Sequence, residues 1–359
     1  MFRVNKGLND PLISVRSGED FNRENLRQFL LEQNLIPNET LEVKQFPSGS
    51  SNLTYSLRCG GWEGVMRRPP FGKLPPKAHD MKREANLLEM VYPHFKHVPK
   101  PYVFCEDKSI IGAPFYIMER KHGVVIDNHF PPGVSVTNEK CKKLSTDFVD
   151  TLVELHHIDY KVASLEDFGK PEGFSERQVH GWIKRYNLSK TEDIEVVDRL
   201  SKWLIENIPK SYEATIIHND YKLNNMLFST DLNEVVALLD WEMATIADPI
   251  FDLCVSLGYW VQDDDPDYIK NVQPTVTHHP GFLNRREIVE LYASKTGRDV
   301  TSIHFYLVLA YFRLAVVLQQ MHYRWKMGQT QDKRFENHNI NARNLILHAD
   351  EVSHLKNYI

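Results

Sequence analysis

Along the first third of the chain apolar residues recur at every second position, and beyond residue 138 they recur mostly at helical spacing. Residues 41–46 and 52–58 alternate as half-buried strands do, with Pro47-Ser48-Gly49-Ser50-Ser51 between them as a turn. Residues 64–68 read as a third strand stopped by Pro69-Pro70, and residues 99–104 and 114–118 as two more. Two helices are expected among these strands. Residues 21–33 carry Leu26, Phe29, Leu30 and Leu31 at helical spacing behind Asp20 as N-cap, and Pro37 bars continuation. Residues 79–91 place Met81, Ala85, Leu88 and Val91 on one face, with Glu84 able to point at the third strand. Residues 1–20 are polar and turn-rich and read as an arm across the surface.

The remainder reads as helices at 139–157, 175–186, 194–208, 249–260 and 303–326, broken by one stretch of short strands. In the first of these helices Leu144, Phe148, Leu152 and Leu155 form a core face, and His156 and His157 read as capping or core-edge groups rather than ligands. Residues 262–280 are acidic, then polar with Pro266, Pro274 and Pro280, and read as a surface loop able to cover a site. His278-His279 within it has no metal-binding partner nearby in the sequence. The fold class is therefore α+β, with a small five-stranded N-terminal lobe (residues 1–118) and a mainly helical C-terminal lobe (residues 119–359).

Composition changes this picture little. The chain has 359 residues, 42% hydrophobic and 25% charged, ordinary for a globular protein with a real core. A formal net charge of -5 offers no basic field for sequence-independent nucleic-acid binding. No apolar run reaches about 18 residues, so no membrane partner is expected. The start, MFRVNKGLNDPL, lacks the apolar core of a secretory signal. Cys59, Cys105, Cys141 and Cys254 are scattered without a C-x-x-C pair and read as reduced thiols, so a cytoplasmic protein is expected.

The chemistry concentrates in residues 216–241, IIHNDYKLNNMLFSTDLNEVVALLDW. His218, Asp220 and Asn225 are spaced H-x-D-x-x-x-x-N, and a short apolar run then ends in Asp240. A protein-kinase centre is built of the same parts in the same order: a catalytic-loop Asp, an Asn shortly after it as metal ligand, and a second Asp as metal ligand. Magnesium takes carboxylate and amide oxygens together with substrate phosphates, while a separate carboxylate stays free to accept a hydroxyl proton. Each of the three is also a common turn or cap residue, and it is their joint arrival that singles them out. In the same frame Arg67, ending the third strand, stands where a kinase lysine would hold phosphates, and Glu84 is the carboxylate that would orient it. The loop residues Ser48, Gly49, Ser50, Ser51 and Asn52 would cover the phosphates with hydroxyls and backbone amides.

HNDYKLNN followed by LLDWE resembles the aminoglycoside phosphotransferase and choline kinase superfamily, whose pattern is HGD-x-x-x-x-N and then a strand ending in ID-W. Asn219 replaces the usual Gly, and Ala247 stands where Gly is common before the similar segment Asp248-Pro249-Ile250-Phe251-Asp252-Leu253. The pieces RRPP, AHDMKRE, RQVHGW and FRLA resemble one branch of that superfamily, the phosphotransferase-like domains associated with acyl-CoA dehydrogenases, which commonly carry Arg at position 67. The resemblance implies a bilobal protein-kinase-like fold and an enzyme using ATP and Mg2+ to phosphorylate a small-molecule hydroxyl. Asp220 would be the base, and Asn225 and Asp240 the metal ligands. FYIMER is similar to the lobe-connecting hinge, so backbone groups of Met118, Glu119 and Arg120 would meet the purine edge. His218 would brace the catalytic loop and Asp252 would bond back to it. The branch points to a hydroxyacyl-CoA or related hydroxy acid as acceptor, with Arg177 or Arg313 as anion partners. Three alternatives stay open: an aminoglycoside held by the aspartates of 263–267, choline or another amino alcohol, and a non-catalytic nucleotide-binding pseudokinase.

Overall fold

The structure is a computed structural model, and it describes residues 12–47, 52–72, 79–210, 213–272, 274–355 and 358–359. The five expected strands form one antiparallel sheet. They are β1 (Glu42–Gln45), β2 (Leu53–Cys59), β3 (Trp62–Arg68), β4 (Pro101–Cys105) and β5 (Phe115–Glu119), in the order β1-β2-β3-β5-β4. Register on the central strand sets Arg67 opposite Thr54 on one side and Tyr116 on the other. The two-residue period divides β5 cleanly: Phe115 and Ile117 join a core cluster with Leu26, Leu30, Leu57 and Met66 on one face of the sheet. Tyr116 and Met118 join the larger core that runs on into the helical lobe.

Two helices flank the sheet, α1 (Arg23–Glu32) and α2 (Met81–Val91), and a single turn, α3 (Lys108–Ile111), precedes β5. The expected cap of α1 is corrected. Asn22 accepts from the backbone N–H groups of Glu24 and Asn25, while Asp20 holds Arg23 at 2.9 Å. The helix begins two residues later than Asp20 would have allowed, and the side chain nearer its first turn takes the orphan donors. Asp80 caps α2, whose buried face carries Met81, Ala85, Leu87, Leu88, Val91 and also Glu84. From residue 12 the chain lies along β1, where Ile13 bridges Gln45, and the Tyr55 hydroxyl of β2 donates to Glu19 O at 2.6 Å.

The large lobe opens with β6 (Val124–Val125) and the core helix α4 (Asn138–His156). It continues through α5 (Phe174–Ser189) and α6 (Val197–Glu206) to four short strands: β7 (Thr215–Ile217), β8 (Met226–Phe228), β9 (Val235–Leu238) and β10 (Thr245–Ala247). Pairing is β7 with β10, and β8 with both β6 and β9. Then come α7 (Pro249–Tyr259), α8 (Asp267–Lys270), α9 (Arg285–Thr296), α10 (Ile303–Lys326) and α11 (His338–His354). Helix α10 is long and apolar enough to cross a membrane by length and composition, but 78% of its apolar window is buried inside the protein. It packs against α5, α7 and α11, so a helix apolar on nearly every side is here the centre of a globular lobe.

Candidate active site

The catalytic-type loop follows β7 and is clamped by buried polar groups on two sides. Asn219 sits at φ 65°, in the left-handed region, which explains why Gly is common there and why Asn, tolerant of that region, replaces it. Asp252, fully buried on the first turns of α7, accepts from the backbone N–H of His218 at 2.8 Å and of Asn219 at 2.7 Å. Burial opposes its charge, yet the bonds from His156 and these N–H groups hold its carboxyl below the usual range. From α10, Arg313 donates to the Asn219 side-chain Oδ1 and backbone O, each at 2.7 Å. His218 reaches the Leu239 carbonyl through Nε2 at 2.9 Å, tying this loop to the end of β9, and burial keeps its imidazole neutral. His156 is thus an interior partner of Asp252 and Tyr292, not a helix cap.

Asp220 projects from the clamped loop with its side chain 23% exposed. Its Oδ2 accepts from Asn225 Nδ2 at 2.9 Å and from Lys222 Nζ at 3.0 Å. Asn225 closes a short turn before β8, and Leu239 N donates to its carbonyl at 2.8 Å. The β8–β9 pairing, with Met226 opposite Leu238, therefore brings Asn225 beside the end of β9, where Asp240 sits at φ 65°. Asp240 is half exposed, and its Oδ1 meets Arg67 Nη2 at 3.0 Å. Arg67 Nη1 holds Glu84 Oε1 at 2.8 Å, both side chains being buried. One guanidinium thus joins β3, α2 and the end of β9 across the two lobes. Burial pushes the Glu84 carboxyl up to about 7 against the pull of Arg67; burial also opposes the charge of Arg67, but Tyr116, Glu84, Asp240 and Glu242 together raise its pKa.

Asn225 gives its amide N–H groups to Asp220, and its amide oxygen and the half-exposed Asp240 carboxylate are the hard oxygen donors that these two strand ends offer. Among the described residues no group of three or more His, Cys, Asp or Glu side chains forms a metal cage. A donor set of one carboxylate and one amide suits magnesium, which keeps phosphate and water oxygens as its other ligands.

The remaining expected positions divide. Ser48, Gly49, Ser50 and Ser51 lie outside the described residues. The Asn52 amide is bound to Glu242 Oε2 at 3.0 Å and to His79 Nδ1 at 2.8 Å, so its side chain anchors the root of the loop. Met118 pairs with Val65 and Pro101 inside the sheet. The Glu119 N–H donates to the Lys100 carbonyl at 2.8 Å and is taken before any purine arrives. Glu119 and Arg120 turn their side chains to Lys121 and to Ser56, respectively. Arg177 bonds the carbonyls of Lys170 and Glu172 and so closes its own turn rather than facing the loop. Asp265 is buried against Arg285 at 2.6 Å, which removes it from the acidic surface expected of 263–267. Two residues near the centre escaped notice, Lys222 and Glu242. Both stand inside the quoted motifs, two positions after Asp220 and Asp240, but loop neighbours carry no periodic signal. Pro274, Thr275 and Thr277 line a cleft with Lys222, Asn224 and Tyr259, so part of the 262–280 segment does border the loop.

A five-stranded antiparallel lobe on a helical lobe, with two aspartates and an asparagine gathered on loop and strand ends, defines a kinase-like phosphotransferase. The chain belongs to the phosphotransferase enzyme family, whose model matches residues 42–274. It is similar to acyl-CoA dehydrogenase family member 11 of Rattus norvegicus, 33% identical over 88% of this chain and 40% of that protein. It is likewise similar to family member 10 of Mus musculus, 32% identical over 80% of this chain and 27% of that one. The chain thus spans well under half the length of these relatives. A Ralstonia eutropha protein, provisionally named an aminoglycoside phosphotransferase, has a solved structure that superposes with a TM-score of 0.80 at 29% identity. That match covers 93% of this chain and 98% of the other.

Proposed function

We propose that this chain is an ATP- and magnesium-dependent kinase that phosphorylates a hydroxyl group of a small molecule. The observation that carries the reading is the convergence of Asp220, Asn225, Asp240 and the Arg67–Glu84 pair at the lobe junction. A solved relative in the fold, at a TM-score of 0.57 and 14% identity, is a complex with AMP-PNP and hygromycin B, and this likeness bears on the fold alone.

In this reading Asp220 accepts the proton of the acceptor hydroxyl, a role typically worth about 10²–10⁴-fold in rate. Asn225 and Asp240 hold magnesium, which supplies charge neutralisation at the phosphate oxygens when bound. Arg67, oriented by Glu84, lends a fork of donors to the phosphates. Lys222 keeps the Asp220 carboxylate paired and oriented, and the clamp of Asp252 and Arg313 fixes the loop that carries it. A phosphate-covering role for Ser48, Gly49, Ser50 and Ser51 is part of the proposal and lies outside the described residues; Asn52 after them is held by Glu242.

For the acceptor we favour a hydroxyacyl-CoA or related hydroxy acid. The relatives named above are acyl-CoA dehydrogenase family members, and Asp265, one of the aspartates an aminoglycoside would use, is buried against Arg285. An aminoglycoside or an amino alcohol would need free carboxylates there. The test is magnesium-dependent ATP consumption against hydroxyacyl-CoAs, aminoglycosides, choline and small sugars, with Asp220→Ala as control. Turnover with one acceptor class that falls at least about 10²-fold in the variant supports the reading. Turnover undiminished in Asp220→Ala removes Asp220 as base. Nucleotide binding without turnover of any acceptor favours a pseudokinase.

A further inference from the structure

Arg313 is an odd residue for the middle of a core helix. It is 8% exposed, and its terminal nitrogens meet only the uncharged oxygens of Asn219. It forms no ion pair among the described residues, although a buried cation is normally matched by a carboxylate. Its other neighbours are aromatic: the guanidinium carbon lies 5.5 Å from the Trp182 ring and 5.8 Å from that of Phe251. A second guanidinium, that of Arg185, stacks 4.5 Å from the same Trp182 ring, is exposed, and also has no acidic partner among the described residues. Burial and the charge of Arg313 together lower its pKa, as expected for two cations sharing one surface. Aromatic faces offset part of that repulsion, but each such contact contributes only about 0.5–2 kcal/mol. Two other buried arginines are paired with acids, Arg67 with Glu84 and Arg285 with Asp265, while Arg68 is held by the Pro69 and Ile111 carbonyls in the small lobe. What sets the pair on Trp182 apart is that two guanidinium groups share one ring, beside the loop that carries Asp220.

We infer that Arg185, Trp182 and Arg313 form an anion-binding subsite that takes a carboxylate or phosphate group of the acceptor. The inference rests on the kinase reading for the identity of the loop, and it names the residues that would select the acceptor. Planar forks bind carboxylate and phosphate through paired charge-assisted hydrogen bonds, and the exposed Arg185 is free to do so. Arg313 is bound to the Asn219 backbone, one residue before Asp220, so a ligand seated on this pair is registered against the loop rather than held at a remote surface. Arg185 acts as the specificity-determining contact, and Arg313 as the positioning residue that links it to the loop.

The test uses three four-carbon alcohols that differ only at one end: 4-hydroxybutanoate, 4-hydroxybutyl phosphate and 1,4-butanediol. Each is titrated by NMR into the whole chain, wild type and Arg185→Gln, with the nucleotide site filled by magnesium AMP-PNP. The expected result is that the better of the two anions binds wild type at least about tenfold more tightly than the diol, that Arg185→Gln erases this preference, and that Arg185→Lys keeps part of it. Which anion wins distinguishes a carboxylate-bearing from a phosphate-bearing acceptor. Equal binding of all three by wild type, or a preference that survives in Arg185→Gln, overturns the subsite. The affinity for AMP-PNP is read in the same samples and speaks separately to the kinase reading, because Arg185 makes no contact with Arg67, Asn225 or Asp240.

Discussion

Two buried arginines in this protein carry opposite lessons. Arg285 has every donor engaged: Asp265 takes two bonds at 2.7 and 2.6 Å, the Trp260 and Leu257 carbonyls accept two more, and Tyr358 lies at 3.5 Å. Arg67 is as deeply buried, yet its Nε has no partner, and neither has Oε2 of Glu84 beside it. One of its acids is sealed in the core and the other, Asp240, is half exposed at the lobe junction. A completed network holds structure together, whereas an incomplete one at a cleft keeps hydrogen-bonding capacity for a ligand. Arg285 ties α9 and Asp265 to Tyr358, and Arg67 ties β3 and α2 to Asp240 at the end of β9.

The sharpest way to break this contrast is to remove each arginine in turn. Arg285→Met strands the Asp265 carboxylate in the interior and leaves the Trp260 carbonyl without its donor, while the Leu257 carbonyl keeps the Trp260 N–H. We expect a loss of about 3–5 kcal/mol in global stability, read by chemical denaturation. Arg67→Met should act elsewhere. Glu84 can relax by taking a proton, since burial already raises its carboxyl to about 7, and Asp240 can turn to water. Stability should fall by no more than about 1 kcal/mol while nucleotide affinity, followed by calorimetry, falls about tenfold or more. Equal stability losses in the two variants would erase the distinction.

A smaller effect sharpens it further. The folded Glu84 holds its proton more tightly than the unfolded chain does, so between about pH 4.5 and 7 its contribution to stability declines as pH rises. The charged Arg67–Glu84 pair is complete only above that window. Nucleotide affinity should therefore rise severalfold from pH 6 to pH 8 in wild type and lose most of that dependence in Glu84→Gln. The same slope in both proteins would remove Glu84 as its source.

Much of this was legible from the chain because the signals are periodic. Helix α10 runs over Ile303–Lys326 as expected, since no Pro or Gly interrupts its apolar spacing. Arg67 and Glu84 met because strand alternation and helix phase each assign a face, and the two faces are opposed. What escaped depends on pairing over long separations or on loop geometry. Asp265 read as surface acid because its partner Arg285 lies twenty residues away, at the start of α9. The Glu119 N–H is taken through the irregular β4–β5 pairing near Pro101 and Val103, which no local pattern announces. Asn22 rather than Asp20 caps α1 because both residue types cap well and only the path of the chain chooses between them. Lys222 sits in a turn, where side-chain direction follows no repeat.

The central claim is that Asn225 and Asp240, with Arg67 behind them, make a magnesium–nucleotide site. The most direct measurement is calorimetric titration of AMP-PNP into wild type and Asp240→Ala, each with and without magnesium. The account predicts that magnesium strengthens binding to wild type by at least about tenfold and strengthens binding to Asp240→Ala far less. Wild-type affinity indifferent to magnesium, or an enhancement that survives intact in Asp240→Ala, would contradict it.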